Sequence, residues 1–227
     1  MTGTASDRGA KDDTITKATP RGEARRRALV DAAWTVVQES GIDGLTLDEI
    51  IARAGGSRAT IYSAFGGRDG LIEAAVGENC AAFAEHMLGM LDDGEDPAAA
   101  LTSLATDLVT HIWTPEAMRI FGSFLTDGYR FPAVIETFLR NGPKRLEKRL
   151  SDYLSEVRAR GQAPVGDPGL AAKLFLDALH GDWLIGCLGG AESARDPQSD
   201  DTAGWIRHVV ARTLDLPLEA VPATARG

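Results

Sequence analysis

Apolar residues recur along this chain with the three-to-four-residue spacing of helices, and no segment alternates as a half-buried strand does. After Pro20, Leu29, Ala33, Val36 and Val37 form one stripe, with Val30 and Trp34 beside it. Ser40-Gly41 closes this first predicted helix, and Gly41 stands where a left-handed cap is favoured. The next start signal is sharp. Thr46-Leu47-Asp48-Glu49 fits a capping box, with Thr46 as N-cap and Glu49 three residues on. Leu47, Ile50, Ile51 and Ala54 share a face, and Gly55-Gly56 ends the helix after two turns. Ser57 can cap a third helix at once; Ile61 and Phe65 lie on one side of it, and Gly66-Gly67 stops it.

The pattern then predicts a long helix over 68–91, with Leu71, Ile72, Val76, Phe83, Met87, Leu88 and Met90 on its apolar side. Several later helices are opened by proline, which suits the first helical position because its missing N–H would have no partner there. Asp96-Pro97 opens one to about Ile112, and Thr114-Pro115 one to about Asp127. Phe131-Pro132 opens a longer one to about Arg160, kinked at Gly142-Pro143. Asp167-Pro168 opens another to about Leu188, a polar loop spans 189–201, and Trp205, Ile206, Val209, Val210 and Leu214 mark the last helix. The expected fold class is therefore all-α. The expected parts are a disordered tail (1–20), a short three-helix unit (21–67), a larger helical unit (68–216) and a flexible tail (217–227).

Charge sharpens this division. The net charge of −9 looks unsuited to nucleic acid, but residues 21–68 carry seven Arg against six acids. The surplus of acid lies beyond them, so an acidic body would confine any nucleic-acid contact to the N-terminal end. Cys80 and Cys187 lack metal spacing and read as buried, reduced thiols. No apolar run is long enough for a membrane span, and residues 1–20 hold no signal-like apolar stretch, so the expected address is the cytoplasm.

Residues 46–65 read as short helix, glycine turn, short helix, the pattern of a helix-turn-helix whose second helix enters the major groove. Ile61 and Phe65 anchor that helix from behind, leaving Ser57, Arg58, Ala59, Thr60, Tyr62 and Ser63 outward. Arg58 suits a guanine edge or a phosphate, and the hydroxyls of Thr60, Tyr62 and Ser63 suit phosphate oxygens. Thr46, Arg68 and, in the Arg25-Arg26-Arg27 run, Arg25 are further candidates for the DNA backbone. The stretch LVDAAWTVVQESGIDGLTLDEIIARAGGSRATIYSAFGGRDGL, residues 29–71, resembles the DNA-binding domain of TetR/AcrR regulators. Its landmarks are Ala33, Gly41, Thr46, Ile50, Ala54-Gly55, Ser57, Thr60, Tyr62, Phe65 and Leu71. It departs from that pattern at Ile51, Gly56, Ala64 and Arg68, where the family usually has Ala, Val, His and Lys. The resemblance implies a dimer on a near-palindromic operator, with Thr60, Tyr62 and Arg68 holding phosphates.

Gly128-Tyr129-Arg130-Phe131-Pro132, Asn141-Gly142-Pro143 and Gly166-Asp167-Pro168 with Ala171-Ala172 more loosely resemble the C-terminal domain of AefR-like members, which implies a helical ligand-binding and dimerisation domain. The helix over 167–188 is apolar nearly all round and must bury two faces. The expected homodimer interface draws on Leu176, Leu179, Trp183, Leu184 and Leu188, with Trp205 and Val209 from the last helix. Phe83, Met87, Met90, Trp113, Met118, Phe121, Phe124, Tyr129, Phe138 and Trp183 supply core, and some of them an apolar pocket for a small hydrophobic effector. His86, His111 and His180 stand apart in sequence, and no metal, cofactor or catalytic constellation is visible. The alternative is a helical carrier or enzyme for a lipid-like molecule, with the helix-turn-helix purely structural.

Overall fold

The computed structural model describes residues 20–91, 96–189, 196 and 198–222, except for the side chains of 182–189. The tail expected before Pro20 and the side chains of Trp183, Leu184 and Leu188 therefore lie outside the described residues. Among the described residues the secondary structure is entirely helical, as the periodicity implies. The chain runs α1 (Pro20–Ser40), α2 (Leu47–Ala54), α3 (Arg58–Phe65), α4 (Arg68–Leu88), α5 (Pro97–Ile112), α6 (Pro115–Asp127), α7 (Pro132–Asn141), α8 (Pro143–Ala159), α9 (Pro168–Gly189) and α10 (Asp200–Leu214). Short 3-10 turns follow α6 and α10.

Local chemistry sets these boundaries. Thr46, Ser57, Asp96, Thr114 and Ser199 each accept a hydrogen bond from the backbone N–H three residues on, and so cap α2, α3, α5, α6 and α10. Such a cap is worth about 1 kcal/mol against Ala. Glu49 does not complete the expected capping box; its carboxylate accepts from Arg53 at 2.7 Å. Gly142-Pro143 produces more than a kink. Gly142 adopts φ −106, ψ −97, so the helix expected over 132–160 is two separate helices. Part of the expected tail, residues 217–222, packs back on the body. Val221 is buried, and its carbonyl accepts from Arg207 Nε at 2.8 Å.

Two apolar cores form. One is built from α4, α5 and α8 to α10, around Leu101, Leu104, Leu150, Leu154, Phe175, Leu179, Val210 and Leu214. The other gathers Leu29, Val36, Ile42, Leu45, Ile50 and Ile61 with Leu71, Ile72 and Val76 of α4. It also takes in Ile120 of α6, and Phe131 and Val134 at the start of α7. Packing therefore crosses the boundary expected at 67/68. Gly41, at φ 73, lies against α6, where a Cβ would fall 2.7 Å from Ser123 Cβ. Beside it Ser123 Oγ accepts from Ile42 N–H at 3.3 Å, and Arg119 Nη1 donates to the Gln38 carbonyl at 2.7 Å.

Candidate nucleic-acid interface

The turn between α2 and α3 depends on two glycines in left-handed backbone, Gly55 at φ 72 and Gly56 at φ 102. At Gly56 a Cβ would meet nothing within 4 Å, so the dihedral, not space, demands glycine there. Arg25 reaches across from α1 and donates to the Ala54 carbonyl at 2.7 Å, closing the C-terminal end of α2. Arg26 pairs with Glu78 of α4, and its guanidinium lies 5.4 Å from the Phe65 ring. That hydrogen bond raises the Arg26 pKa above its usual value. Thus α3 is held from behind by Ile61, which is fully buried, and by the half-buried Phe65.

The opposite side of α3 faces outward. Arg58, Ala59, Tyr62, Ser63 and Ala64 are exposed, Tyr62 by 58%. Tyr62 rests its ring edge on Gly67, where a Cβ would fall 3.3 Å from its Cε1. Thr60 is half-buried and its hydroxyl lies 3.0 Å from Ser57 Oγ. Arg58 Nη2 donates to both carboxylate oxygens of Asp48 at 2.8 Å. That pair is solvent-exposed on both sides, and such pairs are worth at most about 1 kcal/mol, so Arg58 is easily released to another acceptor. The first turn of α3 carries no acid, whereas Asp48 and Glu49 sit in the first turn of α2. The partial positive charge of α3 is therefore the one left open to a phosphate. A groove of about 360 Å³ runs between Gly22, Arg25, Arg26 and Leu29 of α1 and Thr60, Ser63 and Ala64 of α3.

Arg68, expected at a phosphate, is engaged here by backbone carbonyls. Its Nε donates to the Leu45 carbonyl at 2.7 Å, and its Nη2 to the carbonyls of Asp43 at 2.6 Å and Ile42 at 3.3 Å. The guanidinium is 5.3 Å from the Phe131 ring, on which Arg130 also lies at 5.6 Å. Arg130 pairs with Asp43 at 3.0 Å, and that contact raises its pKa. Arg68 thus fastens the α1–α2 loop to the start of α4, with its guanidinium against the Phe131 ring.

The sequence match covers both parts of this frame. Residues 29–75 match the model for bacterial regulatory proteins of the TetR family. Residues 99–216, more than half the chain, match the C-terminal domain of AefR-like transcriptional repressors. The chain belongs to the TetR family of transcriptional regulators. The BetI regulator of Burkholderia ambifaria is 27% identical over 172 residues, spanning 74% of this chain and 84% of that protein. A protein of Mesorhizobium loti assigned to the TetR family superposes with a TM-score of 0.69 at 22% identity, covering 86% of this chain and 96% of that one. The flavonoid-responsive regulator FrrA superposes with a TM-score of 0.64 at 23% identity, covering 85% and 96%. These relatives are regulators, so the carrier-or-enzyme alternative is set aside. No helix among the described residues is long and apolar enough to cross a membrane.

In the TetR-family C-terminal part, several expected placements change. Leu176 and Leu179 are buried within their own subunit's core, so they are not on an outer face. The exposed apolar positions of α9 are Leu170 and Leu174, one helical turn apart and each 57% exposed. Gly181 continues that line with open space around it. Trp205 and Val209 are half-buried on α10. Tyr129 is 82% exposed and lines no interior pocket. Met87, Trp113 and Met118 are buried in the core, Phe83 packs against it, and Met90 is half-buried. Phe121, Phe124 and Phe138 pack on one another at 4.9–5.7 Å between ring centroids. Trp113 stacks on Trp205 at 5.9 Å, and its buried Nε1–H finds no hydrogen-bond acceptor among the described residues. An open surface depression of about 530 Å³ is lined by Asp196, Ser199, Asp201 and Thr202, not by these aromatic residues.

Proposed function

We propose that this TetR-family protein is a homodimeric, cytoplasmic repressor that grips a near-palindromic operator with α3 and lets go when a small apolar effector binds its C-terminal helices. The carrying observation is the outer face of α3: Arg58, Tyr62 and Ser63 are exposed on a helix anchored from behind. Arg58 exchanges Asp48 for a guanine edge, where a bidentate contact discriminates by about 1–3 kcal/mol. Ser57, Thr60, Tyr62 and Ser63 bear hydroxyls suited to phosphate oxygens, and Ala59 is small enough to let the groove floor approach. Thr46 caps α2 beside them, and Arg25 acts by holding α2 to α1.

A dimer is supported by Leu170 and Leu174 on α9, each 57% exposed, with Gly181 further along the same face and Asp177 between them as a polar interruption. The half-buried Trp205 and Val209 on α10 would supply the second helix of a four-helix contact. Two copies would set their α3 helices about 34–36 Å apart, one turn of DNA. Effector binding is supported by Trp113, whose buried Nε1–H finds no acceptor among the described residues beside the stacked Trp205 ring; an unmet group of this kind costs about 1–3 kcal/mol. An effector there would tilt α4, which is continuous from the DNA-binding head. A hundredfold preference for the tilted state corresponds to about 2.7 kcal/mol of coupling.

Gel shifts of the purified dimer on genomic fragments test this reading. Affinity should fall steeply with salt, Arg58→Ala should relax sequence preference, and Tyr62→Phe should weaken all sites alike. Salt-insensitive binding, or both variants behaving as the parent does, would overturn it.

A further inference from the structure

Three groups far apart in sequence meet where the end of α4 passes α5. His86 lies in the last turn of α4, and Asp107 and His111 lie one turn apart on α5. His86 Nε2 is 3.0 Å from Asp107 Oδ2, and His111 Nδ1 is 3.3 Å from the same oxygen. One donor atom from each residue falls within 4.8 Å of the others. The two imidazole rings are 5.5 Å apart and tilted by 60°. We propose that His86, Asp107 and His111 bind a divalent transition-metal ion of the zinc type, tying the C-terminal end of α4 to α5.

The donor chemistry selects this class. Two imidazoles with one carboxylate suit zinc, nickel or copper, whereas calcium and magnesium prefer oxygen alone. Around tetrahedral zinc, with bonds of about 2.0–2.2 Å, neighbouring donors sit roughly 3.3 Å apart. The two contacts on Asp107 Oδ2 already match that spacing. Three protein donors leave one position open for water or a small anion.

The groups are also free to adjust. Both histidines are exposed, with side chains about half accessible, while Asp107 is less so and provides the fixed point. His111 Nδ1 now lies 2.8 Å from the Asp107 backbone carbonyl. Binding through Nδ1 gives up that hydrogen bond and moves the ring proton to Nε2, with no net proton released. The proton is the competing occupant, since one protonated imidazole on Asp107 would also hold the cluster together. The Phe83 ring lies 5.8 Å from the His111 ring.

The test uses the full chain, stripped of metal with a chelator and titrated with Zn²⁺ against a chromophoric competitor at pH 7.5. Co²⁺ serves as a spectroscopic stand-in. The expected result is one equivalent of Zn²⁺ per chain and a visible Co²⁺ ligand-field spectrum. His86→Ala and His111→Ala should each weaken binding at least tenfold, and Asp107→Asn should alter the Co²⁺ spectrum. Far-ultraviolet circular dichroism checks that the surface variants keep the parent's helicity. Parent-like zinc affinity in the His86→Ala/His111→Ala double variant would place the ion elsewhere and overturn the proposal. So would a cluster whose histidine NMR resonances titrate with pH but ignore added Zn²⁺. No DNA enters the assay, so its outcome is independent of the operator reading.

Discussion

Replacing Arg68 with Ala separates two roles for one side chain. Its guanidinium gives three hydrogen bonds to the carbonyls of Ile42, Asp43 and Leu45. Ile42 and Leu45 are buried, so their carbonyls regain little water when the arginine is lost, while that of the exposed Asp43 is rehydrated. A buried carbonyl left unmet costs about 1–3 kcal/mol. Two of them, discounted because the arginine is itself 29% exposed, give a loss of about 3 kcal/mol. For a chain of this size that lowers the melting temperature by about 6–12 °C. The assay is thermal and urea unfolding followed at 222 nm at fixed protein concentration, paired with operator affinity measured across salt concentrations. A clamp predicts lower stability with the salt slope of DNA binding preserved below the melting range. A phosphate contact predicts unchanged stability and a slope shallower by about one unit. Arg68→Ala stable to within about 0.5 kcal/mol of the parent would refute the clamp.

Three further outcomes are expected. Gly41→Ala forces a side chain into left-handed backbone and against Ser123, and should cost about 2 kcal/mol or more in urea unfolding. Leu174→Glu places a charge at an exposed apolar position of α9 and should shift light scattering from a dimer towards the 24.1 kDa single chain; an unshifted dimer means that the interface lies elsewhere. Burial lowers the His180 pKa, so the unfolded chain takes up this proton first as pH falls below about 6.5. Its contribution to stability is therefore complete above that pH and is lost on acidification, by at most about 1.4 kcal/mol per pH unit. His180→Gln should flatten the melting temperature measured between pH 6.5 and 5, and an unchanged profile would show that other groups govern acid stability.

Much of the fold was legible because the signals were local. Proline-opened starts, hydroxyl caps and glycine stops lie within a few residues of what they control, as at Thr46, Ser57 and Asp96-Pro97. The outward residues of α3 were legible for the same reason, since two anchors on a short helix leave the other face free. Contacts between distant segments left no such trace. Nothing in the spacing around Arg68 shows that a loop more than twenty residues earlier presents three carbonyls to it. Leu176 and Leu179 were placed on the interface because a helix apolar all round does not say which side faces its own core. His86 and His111 looked solitary because their meeting depends on how α4 crosses α5. At Gly142-Pro143 the residue types announced a disturbance but not its size, which is set by the packing of α7 and α8 on α4.

The core beneath the recognition helix has a practical consequence for building hybrid sensors. Ile120, Phe131 and Val134 complete the hydrophobic interior of the reading head, although they lie more than fifty residues beyond its last helix. A head transplanted at the junction before Arg68 would arrive with part of its interior missing and Gly41 facing a stranger. Exchange of operator preference between such proteins should therefore succeed when the graft carries matching residues at 120, 123, 131 and 134, turning a single cut into a mosaic.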